Sequence, residues 1–223
     1  MKKQRLSVAM AVLAAGLLLA GCSSKVTQTS QYSGFLSDYS KLQETTSPSG
    51  HKTLRWVDPS YKESNYRGIY FQPVVYFPAE KPTARVSQDT LNKIKAYATQ
   101  RIKTALQNRF TILPSPTGSR VLVAKLAITA VSAENEDMKF YEVVPVAAVV
   151  ASTMAATGHR TQNTALYIEG ELIDQDTGKT VMEVVRKAYG KTVNNDSTPV
   201  TADDVKAAID DIVTDITQFP KQG

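Results

Sequence analysis

Two stretches of the chain repeat apolar positions with the period of a helix. After Ser87, a suitable N-cap, apolar side chains recur every three or four residues as far as Arg109. This face comprises Leu91, Ile94, Ala98, Ile102, Ala105 and Leu106. A second stripe follows the capping-box-like pair of Thr201 and Asp204. It comprises Val205, Ile209, Ile212, Val213 and Ile216. Both stretches are predicted to be amphipathic helices.

Other stretches have the composition or the alternation of strands. Residues 67–77 are rich in β-branched and aromatic side chains, and Pro73 favours an edge strand or a bulge because it cannot donate to the ladder. A short strand is predicted within 110–118 and a longer one within 119–134. The core-facing side of the longer strand comprises Leu122, Ala124, Leu126, Ile128 and Ala130.

Residues 164–190 predict a hairpin that turns at Asp176-Thr177-Gly178, where glycine can take a positive φ. Along its first strand, one face carries Leu166, Ile168 and Leu172, and the other carries Tyr167, Glu169 and Glu171. Near the amino end, a short apolar segment at helical spacing is expected to pack back on the domain. It contains Phe35, Leu36, Tyr39 and Leu42.

The order of these elements predicts the fold class. Neither helix can bury its stripe alone, and each strand has one apolar face. We therefore expect an α+β two-layer sandwich, in which two amphipathic helices cover one face of a mostly antiparallel sheet.

An apolar insertion interrupts the strands. Residues 143–158 carry no charge, Pro145 suits the first turn of a helix, and Gly158 suits its end. The segment is too short to span a bilayer. It is expected to be helical and to be buried, to cover a partner or self-association surface, or to touch a membrane. The candidate interaction surface comprises Val146, Val149, Val150 and Met154.

The amino end has the three parts of a secretory signal peptide. Lys2, Lys3 and Arg5 are followed by a short apolar run over residues 6–19 and by small residues. The run is shorter than a membrane-spanning helix requires. Residues 1–21 are therefore predicted to be removed.

Leu19-Ala20-Gly21-Cys22 resembles the bacterial lipobox. The resemblance implies that a diacylglyceryl group joins the sulfur of Cys22, that the Gly21–Cys22 bond is cut, and that an acyl chain such as palmitate is added to the new amine. Two or three acyl chains hold a protein on a membrane, whereas one binds marginally. Ser23 resembles outer-membrane lipoproteins, since inner-membrane ones commonly carry Asp there. The alternative is an ordinary signal peptide with an incidental cysteine.

The segment after Cys22 is rich in Ser, Thr and Gln. We predict a flexible tether over residues 22–50 and a single domain over residues 51–223. This arrangement would place the domain in the periplasm, moored to the outer membrane.

The overall charge of +5 does not favour nucleic acid as a partner. Removing Lys2, Lys3 and Arg5 from the 26 Lys and Arg leaves 23 against 21 Asp and Glu. The composition is otherwise that of a globular protein, with 42% hydrophobic and 21% charged residues.

We find no catalytic motif and predict no enzyme, metal or cofactor beyond the covalent lipid on Cys22. His51 and His159 supply too few ligands for zinc, since no thiolate remains once Cys22 is lipidated. The carboxylates of the last predicted helix are explained by capping and solvation. A pocket that gathered His159, Arg160 and carboxylates would favour an enzyme acting on the cell wall or on lipid.

The lipobox, the stretch from Gly34 to Tyr39 and the stretch Arg55-Trp56-Val57-Asp58-Pro59 resemble the domain of unknown function 3313 family of proteobacterial lipoproteins. The resemblance implies a location and no established activity. We expect a non-catalytic envelope lipoprotein that binds a periplasmic protein or peptidoglycan. The alternative is a self-assembling structural lipoprotein, a homo-oligomer that uses residues 143–158 as its subunit contact.

Overall fold

The computed structural model describes residues 27, 29–135, 162–194 and 198–221, apart from the side chains of residues 134 and 135. The strands are β1 (Gln43–Thr46), β2 (Lys52–Val57), β3 (Gly68–Phe71), β4 (Val75–Tyr76), β5 (Val121–Asn135), β6 (Gln162–Asp174) and β7 (Thr180–Val193). The helices are α1 (Gln88–Gln107) and α2 (Ala202–Gln218).

These seven strands form one mixed sheet in the order β1-β2-β7-β6-β5-β3, with β4 also paired to β5. The pairs from β1 to β5 are antiparallel, whereas β3 and β4 run parallel to β5. The α+β class is confirmed, but the sheet is partly parallel. The reason is that α1 connects β4 to β5 as a crossover, and such a connection brings parallel strands together.

Pro73 divides the stretch predicted as one strand over residues 67–77. β3 ends at Phe71, β4 begins at Val75, and the proline lies between them. β3 occupies the edge of the sheet, as the proline suggested. The strand predicted within 110–118 is wrong: Ile112 forms only an isolated bridge with Ile69.

Both helices begin at the predicted caps. The Ser87 side chain accepts from the backbone N–H of Thr90 at 3.1 Å, and Thr201 and Asp204 form a capping box. The buried residues of α1 are the predicted Leu91, Ile94, Ala98, Ile102, Ala105 and Leu106. α2 packs on α1, β6 and β7. It approaches β7 so closely at Gly190 that a methyl group there would overlap the carbonyl oxygen of Asp204.

The predicted hairpin of β6 and β7 is present, and Gly178 in its turn has φ of 67°. The side chain of Asp174 holds the turn by accepting from the N–H groups of Asp176 and Thr177 at 2.9 and 3.0 Å. On the second face of β6, however, Tyr167 and Glu169 are fully buried. The sheet therefore has a covering on both faces.

The folded body begins before the predicted boundary at residue 51. β1, which lies within the predicted tether, pairs with β2 over Gln43–Thr46. The segment with Phe35 and Leu36 packs back on the domain as expected but forms bends and a turn rather than a helix, and Leu36 is buried. Hydrogen bonds from Ser33 and Tyr39 to Glu169 fix this segment on the body.

Candidate functional site: the N-terminal strap over Glu169

Most of the candidate site residues predicted from the sequence lie outside the part of the chain that the structure describes. These are Gly21, Cys22, Val146, Val149, Val150, Met154, His159 and Arg160. The helix predicted for the insertion lies outside it too. His51 is described, and its Nε2 lies 3.3 Å from Oδ2 of Asp211 in a solvent-exposed pair.

The clearest polar site is on the face of the sheet remote from the helices. We call residues 29–42 the N-terminal strap. Its Ser33 donates to the carboxylate of Glu169 twice, through the backbone N–H to Oε1 and through Oγ to Oε2, both at 2.9 Å. Tyr39 donates its hydroxyl to Oε2 at 2.5 Å. Three donors thus converge on one buried carboxylate.

The hydroxyl of Tyr39 also organises the strap itself. It accepts the backbone N–H groups of Gly34 at 2.9 Å and of Leu36 at 3.2 Å. Gly34 has φ of 84°, a conformation that glycine adopts without strain. Phe35 donates its N–H to Oγ of Ser33 at 3.0 Å. The stretch from Gly34 to Tyr39 is therefore a loop wound around one phenol, which is itself fixed by Glu169.

Ring contacts add to this arrangement. Within the strap, Tyr32 and Tyr39 stack with their centroids 4.4 Å apart, and Phe35 meets Phe77 of the body edge-on with centroids 5.7 Å apart. Lys41 places its ammonium 4.4 Å from the ring centroid of Trp56 on β2. The strap therefore contacts the stretch from Arg55 to Pro59 through Lys41 and Trp56. The lone tryptophan packs at the end of the strap.

Other charged residues of this face are also buried or paired. Lys187 is buried with its ammonium 5.2 Å from the ring centroids of both Tyr167 and Tyr189. Glu183 is buried, and its Oε2 has no hydrogen-bond partner among the described residues. Glu171 lies opposite Glu183 in the strand register and pairs with Lys125 at 3.5 Å.

Burial raises the pKa of several groups on this face, among them Tyr32. Burial, together with the hydrogen bond and the negative charge of Glu169, raises the pKa of Tyr39 to about 12. Burial also raises the pKa of Glu183, against the opposing influence of Lys41. Tyr39 therefore remains a donor to Glu169 throughout the physiological pH range.

The strap is attached to the sheet at Glu169, whose carboxylate accepts three hydrogen bonds. Among the residues the structure describes, no group of three His, Cys, Asp or Glu side chains could hold a metal ion. No helix in the same residues is long and apolar enough to cross a membrane.

Sequence reasoning missed Glu169 as a buried residue. The alternation along β6 places it with Tyr167 on the polar face, and nothing local in β6 distinguishes it from an exposed glutamate. The only sequence feature that could indicate its burial is more than 120 positions earlier, in the strap, where Gly34 and Tyr39 allow a compact loop.

Two relatives match nearly the whole chain. The chain is 49% identical over 210 residues to the "Uncharacterized lipoprotein YdcL" of Escherichia coli strain K12, which covers 94% of each chain. The YdcL protein of Escherichia coli O157:H7 matches equally well.

Two solved structures of PelC dodecamers from Paraburkholderia phytofirmans also match. They are 12% and 9% identical, with a TM-score of 0.34 for each. They cover 75% and 73% of this chain, and 98% and 96% of their own. At that score the likeness supports no conclusion about this chain.

Residues 31–216 match the family described as "Protein of unknown function (DUF3313)". The match begins inside the strap, two residues before Ser33, and ends within α2. The strap is thus part of the family domain, and the chain belongs to the DUF3313 family.

Proposed function

We propose that this chain is a non-catalytic lipoprotein, held in the outer membrane by lipid on Cys22, whose domain faces the periplasm and binds a protein or peptidoglycan partner. The 49% identical relative is named a lipoprotein, which supports the anchor. The Leu19-Ala20-Gly21-Cys22 motif supports Cys22 as the residue that carries the lipid. The family itself supplies no activity.

The observation that carries the proposal is the attachment of the strap at Ser33, eleven positions after Cys22. Extended chain spans at most about 3.6 Å per residue, so Ser33 would stay within roughly 40 Å of the lipid. A tether free as far as residue 50 would reach roughly 100 Å by the same measure. The domain is therefore held near the membrane, and its partner is to be sought there.

The anchor is tested by labelling cells with a palmitate analogue and by the intact mass of the native protein. We expect the label to disappear with Cys22→Ala and to remain with the matched variant Ser24→Ala. A native protein whose residue 22 is bare, or absent with the leader, would overturn the anchor.

The membrane is tested separately. Ser23→Asp should move the protein toward the inner-membrane fraction, whereas Ser24→Ala should leave it in the outer-membrane fraction. A native protein already in the inner-membrane fraction would contradict the proposed location.

The partner is tested by photo-crosslinking in cells from Lys103 on α1 and from Thr177 in the β6–β7 turn, both exposed. We expect a discrete adduct from at least one position. The adduct should be lost when a flexible insert of about 20 residues is placed before Thr29, because the insert moves the domain away from the membrane. An adduct that persists unchanged with the insert would contradict a partner near the membrane, and no adduct at either position would contradict a partner on these surfaces.

A further inference from the structure

A cavity of about 140 Å³ lies between the helices and the sheet, on the face opposite the strap, and is partly open to solvent. Its walls are mainly apolar and come from both helices and from β5, β6 and β7. The principal wall residues are Ile102, Leu126, Ile168, Val184, Ile212 and Ile216. Gly170 also lines the space and has no side chain to fill it.

Two buried donors on the wall of this cavity have no hydrogen-bond partner among the described residues. They are the hydroxyl of Tyr61 and Nε of Arg109. Tyr61 and the side chain of Arg109 are only 5% and 7% exposed. Leaving a buried donor unpaired costs about 1–3 kcal/mol, so such groups ordinarily mark a missing acceptor.

The unpaired nitrogen of Arg109 is not the result of a loose side chain. Its Nη1 donates to the carbonyl oxygens of Ile216 and Phe219 at 2.8 and 2.7 Å, and its Nη2 pairs with Glu63. The guanidinium is therefore fixed in place. Burial raises the pKa of Tyr61, which keeps its hydroxyl protonated as a donor.

Arg55 supplies a third group at the same cavity. It lies 4.6 Å from the ring centroid of Phe219, and burial lowers the pKa of its guanidinium, so this cation is partly desolvated. Arg55 forms no ion pair within 4 Å in the described residues, and the charge of Asp215 only partly offsets the effect of burial on its pKa.

The other charged residues on the cavity wall are already paired. Glu63 pairs with Arg109 and Asp215 with Arg186, while the side chain of Glu171 pairs with Lys125 on the opposite face of the sheet. Arg55 is therefore the cation that an incoming anion would neutralise.

We propose that this cavity binds a small amphiphile with an apolar chain and a carboxylate head, that is, a medium-chain fatty acid. A cavity of about 150 Å³ holds a benzene molecule, so the space accepts about six carbon atoms. Arginine binds carboxylates with two parallel hydrogen bonds, which suits Arg55. The hydroxyl of Tyr61 and Nε of Arg109 are the additional donors for the head. An apolar site with a few convergent polar groups is the usual form of a ligand pocket.

The first test compares probes of equal chain length by calorimetry. The protein is the mature chain, residues 22–223, with Cys22→Ser, which keeps every described residue and needs no detergent. Octanoate should bind at least about tenfold more tightly than octylamine, because only the anion complements Arg55. Absence of octanoate binding, or equal binding of octylamine, would overturn the proposal.

The second test uses matched variants. Arg55→Gln should weaken octanoate binding at least about tenfold and leave octanol unchanged, since only the charged hydrogen bond is lost. Lys103→Gln removes the same charge from the exposed face of α1 and should change neither. Val184→Phe should weaken both probes by filling the cavity.

Two-dimensional NMR of the wild-type chain locates the bound probe without any substitution. In the wild-type chain, octanoate should shift the methyl signals of Ile168 and Ile212 and leave those of Val185, on the other face, unchanged. Shifts confined to Val185 and its neighbours would overturn the assignment. None of these measurements involves the lipid anchor. A chain that binds no octanoate can still be an anchored lipoprotein, and a chain without the anchor can still bind octanoate.

Discussion

The two faces of the sheet are closed in different ways. On one face, α1 and α2 bury a continuous apolar core that includes Ile94, Ile102 and Ile209. On the other face, the strap lies over a buried carboxylate and is attached through Glu169, with ring contacts to Phe77 and Trp56. The stability of the domain and the position of its amino end therefore depend on separate sets of interactions.

The two faces also differ in how many such interactions they contain. Each fully buried aliphatic side chain contributes about 1.5–3 kcal/mol, and the helix face has many of them. The strap depends on three hydrogen bonds to one carboxylate, each contributing about 1.5–3 kcal/mol, and on the burial of Leu36. We therefore expect the strap to open locally at a lower free energy than that of global unfolding.

The largest effect is expected from Ile94→Ala, which leaves a cavity under α1. Ile94 is fully buried, so the free energy of unfolding should fall by about 2–5 kcal/mol in urea titrations. Hydrogen exchange should speed up in the helices and in the sheet together. Lys103→Ala on the exposed face of α1 is the control, and an equal loss there would refute the division of roles.

Glu169→Ala should release the strap while leaving the helix face folded. Because the strap then opens and its freed donors bond to water, the free energy of unfolding is expected to fall by about 1.5–3 kcal/mol, less than the sum over the three hydrogen bonds. Amide exchange should accelerate over residues 29–42 and remain slow in α1. Glu44→Ala removes an exposed carboxylate and should have little effect. A strap that stays protected in the Glu169 variant would show that other contacts hold it.

Tyr39→Phe should loosen the strap by less, about 1–2 kcal/mol, because Ser33 still donates to Glu169. The pKa of Tyr39 rises from its ordinary value of 10.0 to about 12, so the folded form holds the proton more tightly than the unfolded form. The stabilisation from Tyr39 is therefore complete below pH 10 and is lost as the pH rises toward 12.

The measurement is the exchange rate of strap amides against pH, compared between the wild type and Tyr39→Phe. The difference between the two chains should shrink between pH 10 and pH 12. A constant difference across that range would contradict the role assigned to the hydroxyl.

The smallest effect is expected from Lys41→Ala, which removes the cation over Trp56. An exposed pair of this kind contributes about 0.5–1 kcal/mol. The fluorescence of Trp56, the only tryptophan, should shift while the unfolding midpoint changes little. A loss as large as that of the Glu169 variant would place the main attachment at this end of the strap.

The same contrast explains which features the sequence could predict. The helix face follows from periodicity, and the six buried residues of α1 and the caps at Ser87 and Thr201 are where the pattern indicates. The parallel pairing of β3 and β4 with β5 could not be predicted from the strand patterns, because these patterns carry no direction; the crossover through α1 supplies it.

The second face could not be predicted from β6 alone. The alternation that includes Tyr167 and Glu169 is typical of a solvated face, and only the strap, about 130 positions earlier, makes these residues buried. The predicted tether was too long for the same reason. A Ser-, Thr- and Gln-rich composition indicates little to bury, yet Ser33 is fixed by hydrogen bonds rather than by apolar contact.

The most direct test of the strap's attachment is a distance measurement between two spin labels. Cys22 is the only cysteine, so Cys22→Ser leaves a clean background for Ser37→Cys on the strap and Lys103→Cys on α1, both at exposed positions. The account predicts one narrow distance distribution, which broadens when Glu169→Ala is added. A broad distribution without that substitution would contradict a strap fixed on the second face of the sheet.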